Sequence, residues 1–277
     1  MSGRSRPSLQ RVLDEPCAYL LWPRAALMQL AHPAIAPTEA QSGAYANRGA
    51  QRWSGTVNYL RMVAGGDDEV NRLLVREVNR VHAGVRVPDG SAVRRPAFDA
   101  DNQRWVAATW FLSMIDVYRL LVSDIDDDVL DLLLADFARV GSILQMDLDD
   151  WPRDFTAFEE YVAAVQEGFP SSLPRSGPDA DPEQVLPGDV AAQVFSAYSL
   201  PFRFVRWAPR IRVLTWGMAG PDLRTVYGID WNDETQRRFE ATVRRLRRIT
   251  ARHPFRRRRA RRSTRRAIDG LRPQAGA

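Results

Sequence analysis

The chain has 277 residues, of which 45% are hydrophobic and 26% charged, a balance typical of a globular protein with a sizeable core. Its single cysteine, Cys17, excludes an intramolecular disulfide and any zinc or iron–sulfur site built from cysteines. The net charge of +5 is uneven, because residues 237–266 hold fifteen arginines and one acid and leave the rest of the chain at −9.

The N-terminal part of the chain predicts a loose lead-in, one apolar helix and a loop. Residues 1–16 are polar and contain two prolines. Residues 17–30 are apolar and predict a helix that ends near His32, because a residue that precedes proline disfavours the helical region. Residues 33–47 are rich in Pro, Gly, Ala and Ser, a composition that predicts a loop.

No segment of the sequence predicts a secretory signal or a membrane span. The N-terminus lacks the order of basic, apolar and small residues that a signal peptide has. Residues 17–30 are too short to cross a bilayer and are interrupted by Pro23 and Arg24. We therefore expect a cytoplasmic protein.

The next predicted helix, residues 50–63, carries an arginine and a hydroxyl on one face. It should stop at Gly65–Gly66, which are suited to a helix C-terminus. Arg52 and Thr56 are four residues apart and therefore neighbours on the helix surface. A guanidinium and a hydroxyl are suited to hydrogen-bonding a haem propionate or bound dioxygen. The alternative is a surface arginine beside a half-buried threonine.

A second helix, predicted from a cap at Asp67 through Val85, carries one of the three histidines. Its apolar face comprises Val70, Leu73, Leu74, Val78, Val81 and Val85, and His82 lies beside this face. Burying an imidazole costs a few kcal/mol unless its nitrogens find partners. Haem iron is one such partner, and a hydrogen bond within the core is the other interpretation.

The other two histidines are weaker candidates for a site. His32 stands at a predicted helix end before Pro33, a position typical of capping or loop packing. His253 lies among the C-terminal arginines, where positive charge disfavours a metal ion.

The remainder of the chain predicts further helices and no strand. One helix, residues 102–122 with a cap at Asp99 or Asp101, is apolar almost all round, which indicates the core. Turn-rich segments are residues 87–95 and 171–187, and further helices are predicted at residues 126–144, 154–168, 189–206, 209–217 and 233–251. The predicted fold class is all-α.

The predicted domain organisation is a lead-in at residues 1–16, a helical domain at residues 17–254 and an arginine-rich tail at residues 255–277. We expect the tail to be disordered or extended. Its charge can attract an anionic membrane surface, whereas the scarcity of aromatic residues disfavours stacking on nucleic-acid bases. We therefore expect a solvated tail, with peripheral membrane contact as the alternative, and no specific nucleic acid.

An ordered series of short motifs resembles one group of haem oxygenases. Residues 27–36, Ser42 and residues 52–56 are similar to the opening signature of the group that contains the latex-clearing rubber oxygenases and the fungal oxygenase MpaB. The similarity continues through Val78–Val85, Ala97, Asp99, Trp105–Thr109, Leu223–Trp231 and His253–Pro254. It covers residues 20–260 in order.

The resemblance implies a helical domain with a globin-like core and one haem b. By its position in the matching segment, His82 would be the proximal iron ligand and metal-binding residue, and Arg52 and Thr56 would line the distal side as catalytic residues. Members of the group cleave isoprenoid chains with dioxygen. The resemblance therefore implies a haem-dependent oxygenase that acts on an apolar, isoprenoid-like substrate.

Three departures from the pattern keep other functions open. Gly55 stands where latex-clearing members carry a lysine, Arg95 stands where many relatives carry a tyrosine, and Glu39 lies in the loop of the distal acid without a secure alignment. One alternative is a haem carrier or sensor without turnover. The other is a cofactor-free helical protein whose basic tail binds acidic partners.

Overall fold

The computed structural model describes residues 7–41, 44–85, 96–175, 186–195, 206–251 and 255–271. Within these ranges the chain contains α-helices, two short 3-10 helices (Pro16–Leu20 and Pro96–Phe98) and no strand, so the predicted all-α class is confirmed. The α-helices are α1 (Leu9–Leu13), α2 (Leu21–Ala31), α3 (Ala36–Gln41), α4 (Ala44–Gly65), α5 (Asp68–Ala83), α6 (Ala100–Leu121), α7 (Asp127–Ile143), α8 (Phe155–Glu167), α9 (Pro187–Gln193), α10 (Ala208–Val226), α11 (Asp233–Ala251) and α12 (Phe255–Leu271).

Helix α2 lies at the centre of the domain and packs most extensively against α6. All of its residues are buried, which explains why this segment has no polar face. Its polar side chains have partners on α6: Arg24 binds Asp116 at 2.5 Å, and Gln29 donates to the Thr109 hydroxyl at 2.8 Å. Buried polar groups need such partners, so these two contacts fix the position of α2 along α6.

Aspartate caps set the starts of three helices. The side chains of Asp67, Asp99 and Asp154 accept the backbone N–H groups of Val70, Asn102 and Ala157 at 3.0, 2.9 and 2.8 Å, respectively. Each cap contributes about 1 kcal/mol. The predicted caps at Asp67 and Asp99 are confirmed.

Several predicted helix boundaries are wrong. Residues 33–47 are not one loop, because α3 begins at Ala36 and α4 at Ala44; Pro37 is tolerated because it stands in the first turn of α3. The segment at 209–217 belongs to the longer α10, which bends at Gly220, where φ is +78°. The predicted helix 189–206 corresponds to α9 only as far as Gln193, and residues 196–205 lie outside the described ranges.

Other predictions on secondary structure are met only in part. Helix α5 ends at Ala83, and Val81 is 53% exposed, so the predicted apolar face does not extend to Val85. The turn at 87–95, most of the loop at 171–187 and His253 lie outside the described residues. None of the helices in the described ranges is long and apolar enough to cross a membrane.

The arginine-rich C-terminal segment is a packed helix over residues 255–271, which corrects the expectation of a disordered or extended tail. Helix α12 packs against α4, and its Thr264 is buried. The Arg261 Nε atom binds Asp14 Oδ2 at 2.7 Å, and Asp14 is fully buried. Thr264 and Arg261 therefore lie on a face of α12 that packs against the domain. The arginine-rich composition of the segment does not predict this face.

Candidate functional site

His82 lies in the last turn of α5 and is half-buried. The edge of its ring meets the Phe98 ring with a centroid distance of 5.7 Å and an interplanar angle of 89°. Its Nδ1 atom is buried and has no hydrogen-bond partner among the described residues. This imidazole therefore retains an unused ligand or hydrogen-bonding atom inside the protein.

The surroundings of His82 favour a neutral ring. Burial lowers the pKa of His82, and the nearby Arg52 guanidinium acts in the same direction. The opposing contributions come from Gln145, Glu39 and the Ala97 carbonyl, which favour the protonated ring. Burial is the largest of these contributions, so the surroundings of His82 favour the neutral imidazole, which is the form that binds metals.

Arg52 does not extend freely over a cavity but is held by Glu39. The guanidinium contacts both carboxylate oxygens: Nη2 donates to Oε1 at 2.8 Å, and Nη1 binds Oε2. Such a two-point contact fixes the plane of both groups. Because Arg52 and Glu39 both influence the pKa of His82, the structure brings the predicted arginine and histidine into one neighbourhood, together with Glu39.

Thr56 lies one turn beyond Arg52 on α4 and is half-buried. The same face continues to Tyr59, whose hydroxyl donates to the Val140 carbonyl of α7 at 2.9 Å. The Tyr59 ring also packs edge-on against Trp110 of α6, with a centroid distance of 5.8 Å. Burial raises the pKa of Tyr59, so its hydroxyl stays protonated. This part of α4 is therefore anchored to α6 and α7.

Gln145 is a site residue that the sequence analysis missed. It follows the end of α7 with a φ of +66°, and its Nε2 atom donates to Asn79 Oδ1 at 2.7 Å and to the Ile143 carbonyl at 2.9 Å. Within the described part of the chain, its buried Oε1 atom has no hydrogen-bond partner. A glutamine just beyond a helix has no sequence signature that would connect it to a histidine 63 positions earlier.

His32 packs as the sequence predicts. It ends α2, and its carbonyl accepts the N–H groups of Ile35 and Ala36. Its ring lies 5.9 Å from the Trp105 ring. Burial lowers the pKa of His32, and Asp99 opposes that effect.

Two cavities lie away from these residues. One of about 560 Å³ lies between α10 and residues 228–231, and one of about 420 Å³ lies between the end of α6 and α11. Neither is lined by His82, Arg52 or Thr56. In the part of the chain that the structure describes, no group of three or more His, Cys, Asp or Glu side chains could hold a metal ion.

Comparison with known proteins gives the family. Residues 9–248 match the family described as "ER-bound oxygenase mpaB/B'/Rubber oxygenase, catalytic domain". The chain belongs to this family. Two relatives from Mycobacterium bovis and Mycobacterium tuberculosis, both named as uncharacterized proteins, are each 30% identical over 218 residues, which cover 77% of this chain and 81% of each relative. No solved structure matches the chain.

The family assignment confirms the resemblance that the sequence motifs indicate. Residues 9–248 therefore belong to an oxygenase catalytic domain. The family match ends at residue 248, before α12. The roles of His82, Arg52 and Thr56 stay predictions.

Proposed function

We propose that this protein is a haem b-dependent oxygenase that acts with dioxygen on an apolar, isoprenoid-like substrate. The observation that supports it most is His82, a half-buried imidazole whose buried Nδ1 atom has no hydrogen-bond partner among the described residues, in a chain of this family. The substrate class follows the family description, which includes a rubber oxygenase.

The residues present fit haem better than a bare metal ion. A haem iron takes one or two axial ligands from the protein, whereas a bare transition-metal ion in a protein site takes at least three. Among the described residues, His82 does not belong to any group of three or more His, Cys, Asp or Glu side chains that could hold a bare metal ion. The apolar ring of Phe98 beside His82 also suits a porphyrin neighbour.

Arg52, Glu39 and Thr56 supply the polar groups of the proposed site. Arg52 is the donor suited to a propionate or to developing negative charge. Glu39 holds the Arg52 guanidinium in a fixed plane, and Thr56 adds a hydroxyl one turn away on α4. Haem, when bound, would supply the activation of dioxygen, and these side chains would orient the reactants around it.

The first experiment is the absorption spectrum of the protein expressed with haem supplied. We expect a Soret band that is lost in His82→Ala. The matched control is His32→Ala, which removes the other half-buried histidine with an unpartnered Nδ1 atom and should retain the band. A colourless wild-type protein after addition of hemin, or an unchanged band in His82→Ala, would overturn the proposal.

A second experiment separates an oxygenase from a haem carrier or sensor. Oxygen uptake and product formation are measured with squalene as an apolar isoprenoid and with hexadecane as an apolar chain without double bonds. We expect oxygen-dependent product from squalene alone and a loss of at least tenfold in Arg52→Ala. A Soret band without any product would favour the carrier or sensor.

A further inference from the structure

The backbone at Gln145 has an unusual conformation for a glutamine. Its φ of +66° is the only positive value of a non-glycine residue in the described ranges. Such a left-handed residue commonly follows a helix, where Gly or Asn is preferred because a larger side chain strains the backbone. The Met146 N–H bonds back to the Gly141 carbonyl at 3.0 Å across this turn. A glutamine here turns its side chain toward α5.

The hydrogen bonds of the Gln145 amide decide its orientation. The nitrogen donates to two acceptors, Asn79 Oδ1 and the Ile143 carbonyl, so the oxygen points away from both. Asn79 stands three residues before His82 on α5, which makes the two neighbours on the helix surface. The Gln145 amide group is therefore held beside the turn that carries His82.

Two complementary polar atoms lie unpartnered in this region. Gln145 Oε1 is an acceptor and His82 Nδ1 can be a donor, and both are buried without a hydrogen bond among the described residues. An unsatisfied buried polar atom destabilises the folded protein. One hydrogen bond between them would satisfy both atoms.

We infer that Gln145 is a positioning residue whose Oε1 atom accepts the Nδ1 proton of His82 and leaves the Nε2 lone pair free to bind iron. The inference rests on the proposed function for its iron-binding part. The nitrogen of a histidine that binds a metal is set by the hydrogen bond that the other nitrogen makes. Residues in this role also orient the ring and strengthen it as a ligand.

The tautomer of His82 can be tested without haem. Nitrogen-15 NMR of histidine-labelled protein distinguishes the Nδ1–H from the Nε2–H form, and comparison with His82→Ala assigns the signal among three histidines. We expect the Nδ1–H form in the wild type and a shift toward Nε2–H in Gln145→Asn. Asparagine is well suited to the positive φ, so we expect the variant to stay folded, whereas its shorter side chain does not reach His82. Thermal unfolding of the variant checks that it is folded.

Two further variants complete the test. Asn79→Ala removes one of the acceptors that orient the Gln145 amide and should give an intermediate tautomer population. Gln51→Asn is the matched control, because Gln51 is exposed on α4 and should leave the His82 signal unchanged. An Nε2–H signal in the wild type, or the same signal in Gln145→Asn as in the wild type, would overturn the inference.

Hemin titration tests the consequence for iron binding. We expect about 10- to 100-fold weaker hemin binding in Gln145→Asn than in the wild type and in Gln51→Asn. Normal hemin binding by both the wild type and Gln145→Asn would refute the positioning role while leaving the proposed function intact. No binding by the wild type would refute the proposed function, whereas the NMR result would still decide whether Gln145 holds His82.

Discussion

Replacing Arg261 with alanine should destabilise the protein, because it leaves the buried Asp14 carboxylate without its cationic partner. Asp14 is fully buried, whereas the Arg261 side chain is 62% exposed. One carboxylate oxygen of Asp14 would still accept from Gln10 at 2.9 Å, but the other would lose its 2.7 Å contact with Arg261. The charge would then be buried with a single neutral donor.

The magnitude follows from the burial of the two partners. Removing one member of a fully buried ion pair costs about 3–5 kcal/mol, whereas exposed pairs contribute about 0–1 kcal/mol. Since only Asp14 is withdrawn from water, we expect a loss of about 1–3 kcal/mol in the free energy of unfolding. For a chain of this size that corresponds to a decrease in Tm of about 2–12 °C.

Thermal and urea unfolding followed by circular dichroism would measure the effect. Arg262→Ala is the matched control, since Arg262 is an exposed neighbour on the same helix and should change Tm by less than about 1 °C. The double variant with Asp14→Asn should recover most of the loss, because no charge then remains buried. A loss in Arg261→Ala no greater than that in Arg262→Ala would refute the reasoning and the docking of α12 through this pair.

Three further predictions concern separate parts of the molecule. Tyr59→Phe removes the hydroxyl that donates to the Val140 carbonyl and should cost about 1 kcal/mol by urea unfolding; no change would show that this bond does not anchor α4 to α7. Burial lowers the pKa values of His32 and His82, so the unfolded chain takes up protons more readily than the folded one, and the stability of the haem-free protein should decrease as the pH falls below about 6.5. The decrease should be smaller in His32→Ala and in His82→Ala; the same dependence of stability on pH in the wild type and in these variants would contradict this. The exposed arginines of α12 should bind vesicles that contain phosphatidylserine and release them in high salt, and binding to neutral phosphatidylcholine vesicles would argue against a charge-driven contact.

The sequence predicted the elements whose own pattern carries the information. Residues 102–122 are apolar almost all round, and the structure buries most of them as α6. Asp67 and Asp99 stand three residues before the amides that they cap, which is a purely local signal. Helix α12 was missed because its arginines dominate the composition, and the burial of Thr264 depends on α4, which lies about 200 residues earlier.

The candidate site shows the same division between local and distant information. His82 and Arg52 were found because each lies in a motif of the family. The Glu39–Arg52 pair joins two separate helices, and Glu39 could not be aligned from sequence alone. Gln145 reaches α5 only because α7 packs beside it, so no periodicity in the sequence connects Gln145 with His82.

The burial of α2 has a consequence for how the protein is made. This helix leaves the ribosome long before the residues that cover it: Thr109 and Asp116 follow its Gln29 and Arg24 by 80 and 92 positions, and Tyr227 follows its Leu27 by 200. At bacterial and eukaryotic rates of synthesis, about 4–20 s pass between the synthesis of α2 and that of its partner residues on α6. During that interval it is an unshielded apolar segment on the nascent chain, and it is therefore the first place where a chaperone would bind.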